Sequence, residues 1–360
     1  FRCYRFLSPL WGLGALNMKP ILVLKFGTAS ITKSTGEPDE AIILEIARQV
    51  ARLCDRYRVV IVSSGAVGAG RGVLKGYRGS LRERKAAAAI GNPLLLGLYA
   101  KFFSAYNIPI AQSLCERQHF ANRRQFLQLK ETYEALWDNG VIPIANENDV
   151  VSNLELKFSD NDELATLLAA GLGAETLLFS TSVGGLLDGE NRILPRVARI
   201  DESILGLADT SKSALGLGGM TSKLTFAKRA TRLGIRVVIF GIHTPDGILK
   251  ALDEETGTVF PPDEAGFSAR QKWLGSGSLP TGQVVADAGA VKALQKRRSL
   301  LAVGLTAVRG DFDRGEILEI VDEVGQPVAV AKARISSETL ATQLRAPNVE
   351  VAHADDIVLL

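Results

Sequence analysis

From Ile21 to Gly241, short uninterrupted apolar runs alternate with longer segments of helical period. ILVLKFG from Ile21, RVVIVSSGAVGAG from Arg58, IPIAQSL from Ile108, VIPIANEND from Val141, ETLLFSTS from Glu175 and IRVVIFG from Ile235 have the composition of buried strands. DEAIILEIARQVARLCDRY repeats apolar residues at helical spacing, as do the segments around Phe126–Trp137 and from Lys223. RERKAAAAIGNPLLLGLYAKFFSAY is also helical, with an interruption or restart predicted at Pro93. A strand that is apolar on both faces must be covered twice. The alternation therefore predicts an α/β fold, a mainly parallel sheet with helices on both sides.

In open sheets of this kind, ligands bind beyond the carboxyl ends of the strands. The polar residues collect there: Lys25, Ser63-Ser64-Gly65, Asn146-Glu147-Asn148-Asp149 and Thr181-Ser182. Several such ends at one edge constrain function more than any single motif.

Composition sets the outer limits. The chain has 360 residues, 46% hydrophobic and 22% charged, with a net charge of +3. That suggests two domains, or one large and one small, and no strong pull toward nucleic acid or membrane. Cys3, Cys54 and Cys115 are scattered and form no CxxC, which fits a reducing cytosol; His119, His243 and His353 offer no zinc-site spacing. No apolar run reaches the roughly 18 residues of a membrane span. Residues 1–17 hold arginines and a short apolar patch broken by Pro9 and glycines. They read as upstream or added residues before a natural start at Met18, in preference to a targeting peptide. Around residue 259 the texture turns Pro-, Gly- and Ser-rich, and beyond about Pro280 short strands are separated by turns. The expected division is 18–258, a linker over 259–279, and a β-rich domain over 280–360.

Three stretches could carry chemistry. KFSDNDELATLLA places Asp160 and Asp162 either side of Asn161 at a helix start. Alone this is a helix cap, and Asp160 with Glu163 has capping-box spacing. SALGLGGMTSKL opens a helix with Gly216, Gly218 and Gly219 ahead of Thr221, Ser222 and Lys223. It is either a surface loop or an anion-binding helix N-terminus, and it is not a Walker A sequence. SSGAVGAG is a tight strand–helix turn or a cradle for a carboxylate or phosphate. Two lysines, several acids and glycine-borne N–H groups are the components phosphoryl transfer requires. No histidine adjoins a nucleophile-elbow motif.

LKFGTASI, VIVSSGAVGAG, PIANENDVV, FSDNDELATLLA and LGLGGMTSKL occur in the order seen in the glutamate 5-kinases of the amino-acid kinase family. The chain resembles that family from about Met18 to the end, and the part from Pro280 through FDRGEILEI to VAHADDIVLL resembles its PUA domain. The resemblance implies an open αβα sandwich followed by a small PUA barrel. It implies transfer of the ATP γ-phosphate to the γ-carboxylate of L-glutamate, the first step of proline synthesis. Lys25, Lys223, Asp162 and Asp160 match its catalytic residues. Ser64, Gly65, Asn146, Asp149 and Asn161 match glutamate contacts. Lys25, Gly27, Thr181, Ser182, Leu217, Gly218, Gly219, Met220, Thr221, Ser222 and Lys223 match ATP contacts. Mg²⁺ is expected with ATP, with no direct protein ligand.

The sequence departs from the family at Ser182, where an Asp is usual, in GGLLDGENRILPRV after it, and in AAIGNP, where Val-Gly-Gln is usual. Other acceptors used on the same fold are alternatives: N-acetylglutamate, aspartate, carbamate or UMP. A catalytically dead scaffold is opposed by the presence of every active-site charge. Family resemblance further implies a homo-oligomer, dimer or tetramer, with proline as feedback inhibitor. An RNA-binding regulator is disfavoured: from Pro280 on, nine Lys/Arg face eleven Asp/Glu, a net of −2, and the Lys296–Arg298 cluster reads as a solvated face. The expected location is the cytoplasm.

Overall fold

The computed structural model describes residues 19–121, 123–151, 160–209, 219–263 and 282–359. Residues 1–17 and most of the 259–279 segment lie outside these, as do Leu217 and Gly218.

The larger unit is a seven-stranded sheet. Its strands are β1 (Ile21–Phe26), β2 (Arg58–Ser63), β3 (Ile110–Cys115), β4 (Ile142–Glu147), β5 (Thr176–Thr181), β6 (Arg236–Gly241) and β7 (Thr258–Phe260). Their order is β3-β4-β2-β1-β5-β6-β7. The first six run parallel and β7 pairs antiparallel to β6. Val259 and Phe260, at the change in texture, thus belong to the main sheet.

Helices cover both faces. They are α1 (Thr28–Ile31), α2 (Glu40–Ala51), α3 (Ala66–Arg71), α4 (Leu81–Ser104), α5 (Arg117–Ala121), α6 (Arg123–Asp138), α7 (Asn161–Leu172), α8 (Glu202–Asp209), α9 (Met220–Arg232) and α10 (Gly247–Leu252). Alternation along β1 shows the two layers. Val23 joins Phe126, Tyr133, Leu164 and Leu224 on one face, while Leu22 and Leu24 join Ile46, Tyr99 and Ile248 on the other. This is the expected αβα sandwich, with both faces of each central strand buried.

The interruption predicted at Pro93 does not occur. Helix α4 is continuous over 24 residues, opened by a Ser80–Glu83 capping box. Proline deprives the carbonyl four residues earlier, that of Ala89, of its hydrogen bond. Ala89 and Pro93 are both exposed, so water can replace it. By length and composition α4 is the one described helix that could cross a membrane. Here it packs on α2 and α3 and carries Arg82, Glu83, Arg84, Lys85 and Lys101.

The smaller unit contains β8 (Gly282–Ala286), α11 (Ala288–Gln295), β9 (Leu300–Leu301), β10 (Leu305–Arg309), β11 (Ile317–Val321), β12 (Pro327–Lys332), α12 (Ser337–Thr342), β13 (Glu350–Ala352) and β14 (Ile357–Leu359). Its sheet order is β10-β8-β11-β12-β14, with β9 and β13 paired separately. One face closes over its own core with Leu294, Phe312 and Leu340. From the other face Ile317, Val330 and Val358, also buried, join the apolar cluster of the α7–α9 side of the main sheet.

Candidate active site

Because β1, β2, β4 and β5 are parallel neighbours, their carboxyl ends reach the same edge. Lys25, Ser63–Gly65, Asn146–Glu147 and Thr181 arrive there from four strands. The N-termini of α7 and α9 meet them, bringing Asp160–Asp162 and Gly219–Lys223.

The centre is a buried carboxylate between two ammonium groups. Lys25 Nζ lies 2.5 Å from Asp162 Oδ1, and Lys223 Nζ donates to Oδ2 at 3.1 Å. All three side chains are buried, Asp162 completely. Burial opposes Asp162 ionisation, but Lys25 and then Lys223 outweigh it and hold the carboxyl below its usual range. Burial lowers the Lys25 pKa despite Asp162, and Lys223 adds to the lowering. Asp162 thereby holds two ammonium groups side by side in a low-dielectric place. Such a place favours a polyanion.

Asp160 has two tasks, as the sequence alternatives allowed. It is the N-cap of α7, its Oδ1 accepting from the Asp162 N–H at 2.9 Å and the Glu163 N–H at 3.2 Å. Its Oδ2 accepts from the Ser222 hydroxyl, which ties α7 to the first turn of α9. Burial and then the Asp162 charge raise its pKa. The cap thereby fixes the distance between the helix that carries Asp162 and the helix that carries Lys223.

The amides form the adjoining wall. Asn161 Nδ2 donates to Ser64 Oγ at 2.8 Å and to Asn146 Oδ1 at 2.9 Å. Asn161 Oδ1 is buried and has no donor among the described residues. Gly65 takes φ +100°, which a side chain would resist, so the chain can turn directly from Ser64 into α3. Asp149 is half-buried on the turn after β4.

On the other side, Gly219 is the N-cap of α9 and no side chain caps it. The positive end of a 13-residue helix and its N–H groups therefore face the Lys223 region. Met220 is buried, Ser222 half-buried and Thr221 exposed. Thr181 is half-buried and Ser182 exposed at the end of β5, and Leu187–Ile193 closes a short hairpin beyond. Gly27 caps α1, and a Cβ there would lie 3.4 Å from Lys25 Nζ. A larger side chain would crowd the ammonium's approach.

Sequence reasoning missed the end of β3. Glu116 accepts from Asn148 Nδ2 at 3.0 Å, and Arg117 pairs with the buried Glu163, next to Asp162. The turn after β3 thus grips both acidic segments. CERQ carries no turn or glycine signal, and only pairing with β4 makes it a fifth adjacent strand end. It also missed Asn92, whose Oδ1 accepts from Asn146 Nδ2 at 3.1 Å.

Comparison with known proteins adds the family. Residues 20–241 match the model of the amino acid kinase family, and residues 282–354 that of the PUA domain. The chain belongs to the amino acid kinase family. It is 38% identical over 330 residues to the glutamate 5-kinase of Shewanella oneidensis, covering 89% of each chain. It is 40% identical over 328 residues to that of Moorella thermoacetica, covering 88% of this chain and 86% of the relative. Among solved structures, carbamate kinase from Giardia lamblia bound to AMP-PNP aligns with a TM-score of 0.51 at 18% identity. That alignment covers 69% of this chain and 100% of the other. The two matched spans fall on the two units described above, the amino acid kinase match on the sandwich and the PUA match on the C-terminal β-rich unit.

Among the described residues no three His, Cys, Asp or Glu side chains are grouped to hold a metal. Both Asp160 oxygens accept protein hydrogen bonds, and both Asp162 oxygens face lysines. A divalent ion here fits as the companion of nucleotide phosphates.

Proposed function

We propose that this chain transfers the γ-phosphoryl group of ATP to the γ-carboxylate of L-glutamate, giving γ-glutamyl phosphate and ADP. The observation that carries the reading is Asp162 buried between Lys25 and Lys223. Relatives named glutamate 5-kinase, 38% and 40% identical, specify the acceptor.

A γ-carboxylate is ionised at neutral pH, so its attack needs no general base. The obstacle is repulsion between two anions. Lys25 and Lys223 offset that repulsion, and Asp162 keeps both ammonium groups aimed at one place. As the carboxylate oxygen bonds to phosphorus, the bridging oxygen leaves with ADP. The N-terminus of α9 is suited to the nucleotide phosphates. Mg²⁺ held by those phosphates would spread their charge further. Asn161 Oδ1, buried without a donor among the described residues, suits the ammonium of a free amino acid, with Asp149 as its charge partner. The acyl phosphate hydrolyses easily, which favours a site that excludes water.

Proline shares the α-carboxylate and a protonated α-nitrogen with glutamate, and is expected to compete for the Ser64–Asn146–Asn161 wall. Assembly as a dimer or tetramer belongs to the same reading. The test is ADP release with Mg-ATP and one acceptor at a time: glutamate, N-acetylglutamate, aspartate or carbamate. Glutamate-dependent release supports the proposal. Release with another acceptor alone keeps the fold and overturns the substrate.

A further inference from the structure

The amides beside the reaction centre form a closed ring, and one member lies outside the family's acceptor motifs. Its hydrogen bonds have a fixed sense. The backbone N–H of Glu147 donates to Asn146 Oδ1 at 2.9 Å. A backbone donor cannot be reversed, so the Asn146 oxygen is committed to that side. Asn146 Nδ2 then donates to Asn92 Oδ1 at 3.1 Å, while Asn146 Oδ1 also receives Asn161 Nδ2 at 2.9 Å. With its nitrogen engaged by Asn146 and Ser64, Asn161 has only its oxygen to offer a ligand.

The backbone closes the ring. A Cβ at Gly91 would lie 1.7 Å from the Ala66 carbonyl oxygen, and one at Gly70 2.0 Å from that of Ala87. Only glycines permit this approach of α3 to α4. Ala66 follows Ser64-Gly65 and Asn92 follows Gly91. The path therefore runs Ser64, Ala66, Gly91, Asn92, Asn146, Asn161 and back to Ser64. A small cavity lined by Ser63, Asn92, Tyr99, Gln112 and Asn146 adjoins it.

We propose that Asn92 is a positioning residue for the acceptor: it holds Asn146, and through it Asn161, so that an oxygen meets the acceptor's ammonium. This rests on the amino-acid acceptor proposed above. Asn92 is 7% exposed and bonds to Asn146, not to the lysine–carboxylate centre. Its loss should therefore weaken acceptor binding and spare the nucleotide.

The experiment compares N92L, which keeps the shape but offers no acceptor atom, with N92D, which keeps an oxygen for Asn146 Nδ2. Initial rates are measured with acceptor and ATP varied separately, alongside thermal melts. N92L is expected to raise KM for glutamate about tenfold or more, with KM for ATP and kcat within about threefold of wild type. N92D should restore KM for glutamate to within about threefold of wild type. An unchanged glutamate KM in N92L overturns the proposal. So does equal impairment of N92D, or a rise in both KM values with a fall in kcat that follows a lowered Tm. If the wild type uses another acceptor, the substrate reading fails, and the same split read on that acceptor decides the role of Asn92. No wild-type turnover with any acceptor overturns both.

Discussion

Replacing Asp162 by Asn preserves shape and removes one charge. Lys25 and Lys223, with side chains 4% and 7% exposed, then face each other without their shared counter-ion. Removing one partner of a buried pair typically costs about 3–5 kcal/mol. The protein can escape part of that cost by releasing a proton. Burial already lowers the Lys25 pKa in the wild type, where Asp162 pulls the other way. In D162N that opposing pull is gone, and Lys223 still lowers it. A lysine whose folded pKa lies below its unfolded value of about 10.4 loses stability as pH falls toward neutrality. The stability deficit of D162N should therefore be largest near neutral pH and shrink as pH approaches about 10. Activity should fall by about 10³-fold at neutral pH, corresponding to about 4 kcal/mol of lost transition-state stabilisation. Urea melts across this pH range and ADP-release rates are the assays. A pH-independent deficit, or activity within about tenfold of wild type, would refute the reasoning.

G91A should destabilise by about 3 kcal/mol or more, because its methyl group would meet a backbone oxygen at 1.7 Å; the urea midpoint measures this, and a neutral effect contradicts the α3–α4 contact. R117M should lower stability by about 1–3 kcal/mol by removing a cation beside the buried Glu163, and E163Q in the same chain should recover part of it. A double-mutant cycle with coupling below about 0.5 kcal/mol counts against that pairing. Lys25 must stay protonated to serve a phosphate, so kcat/KM should fall as pH rises through its lowered pKa. That alkaline limb should lie below the ordinary lysine value and move upward in K25R; an unmoved limb assigns it to another group.

Much of this was legible in the sequence because the strand signal is period-independent. ILVLKF and RVVIVS are apolar throughout, and only burial on both faces suits them. Parallel pairing then collects their polar ends whatever the loop lengths. Asp160 was readable as a cap because capping is a local interaction. Glu116, Arg117 and Asn92 were not legible, since each acts across the sheet on a residue at least 32 positions away. Pro93 misled because propensity treats proline as a break wherever it stands. On the solvent face of a well-packed helix, tertiary contacts outweigh one missing hydrogen bond. Leu217 and Gly218, expected at the nucleotide, lie outside the described residues, so the glycine loop enters only from Gly219.

The reaction is defined by which bond forms. Incubating the full chain with Mg-ATP, glutamate and hydroxylamine, and measuring γ-glutamyl hydroxamate against ADP, addresses it directly. Acyl phosphate formation gives hydroxamate that requires both ATP and glutamate, matches ADP in amount, and vanishes in K223M. ADP formed without hydroxamate, or hydroxamate undiminished in K223M, would contradict it.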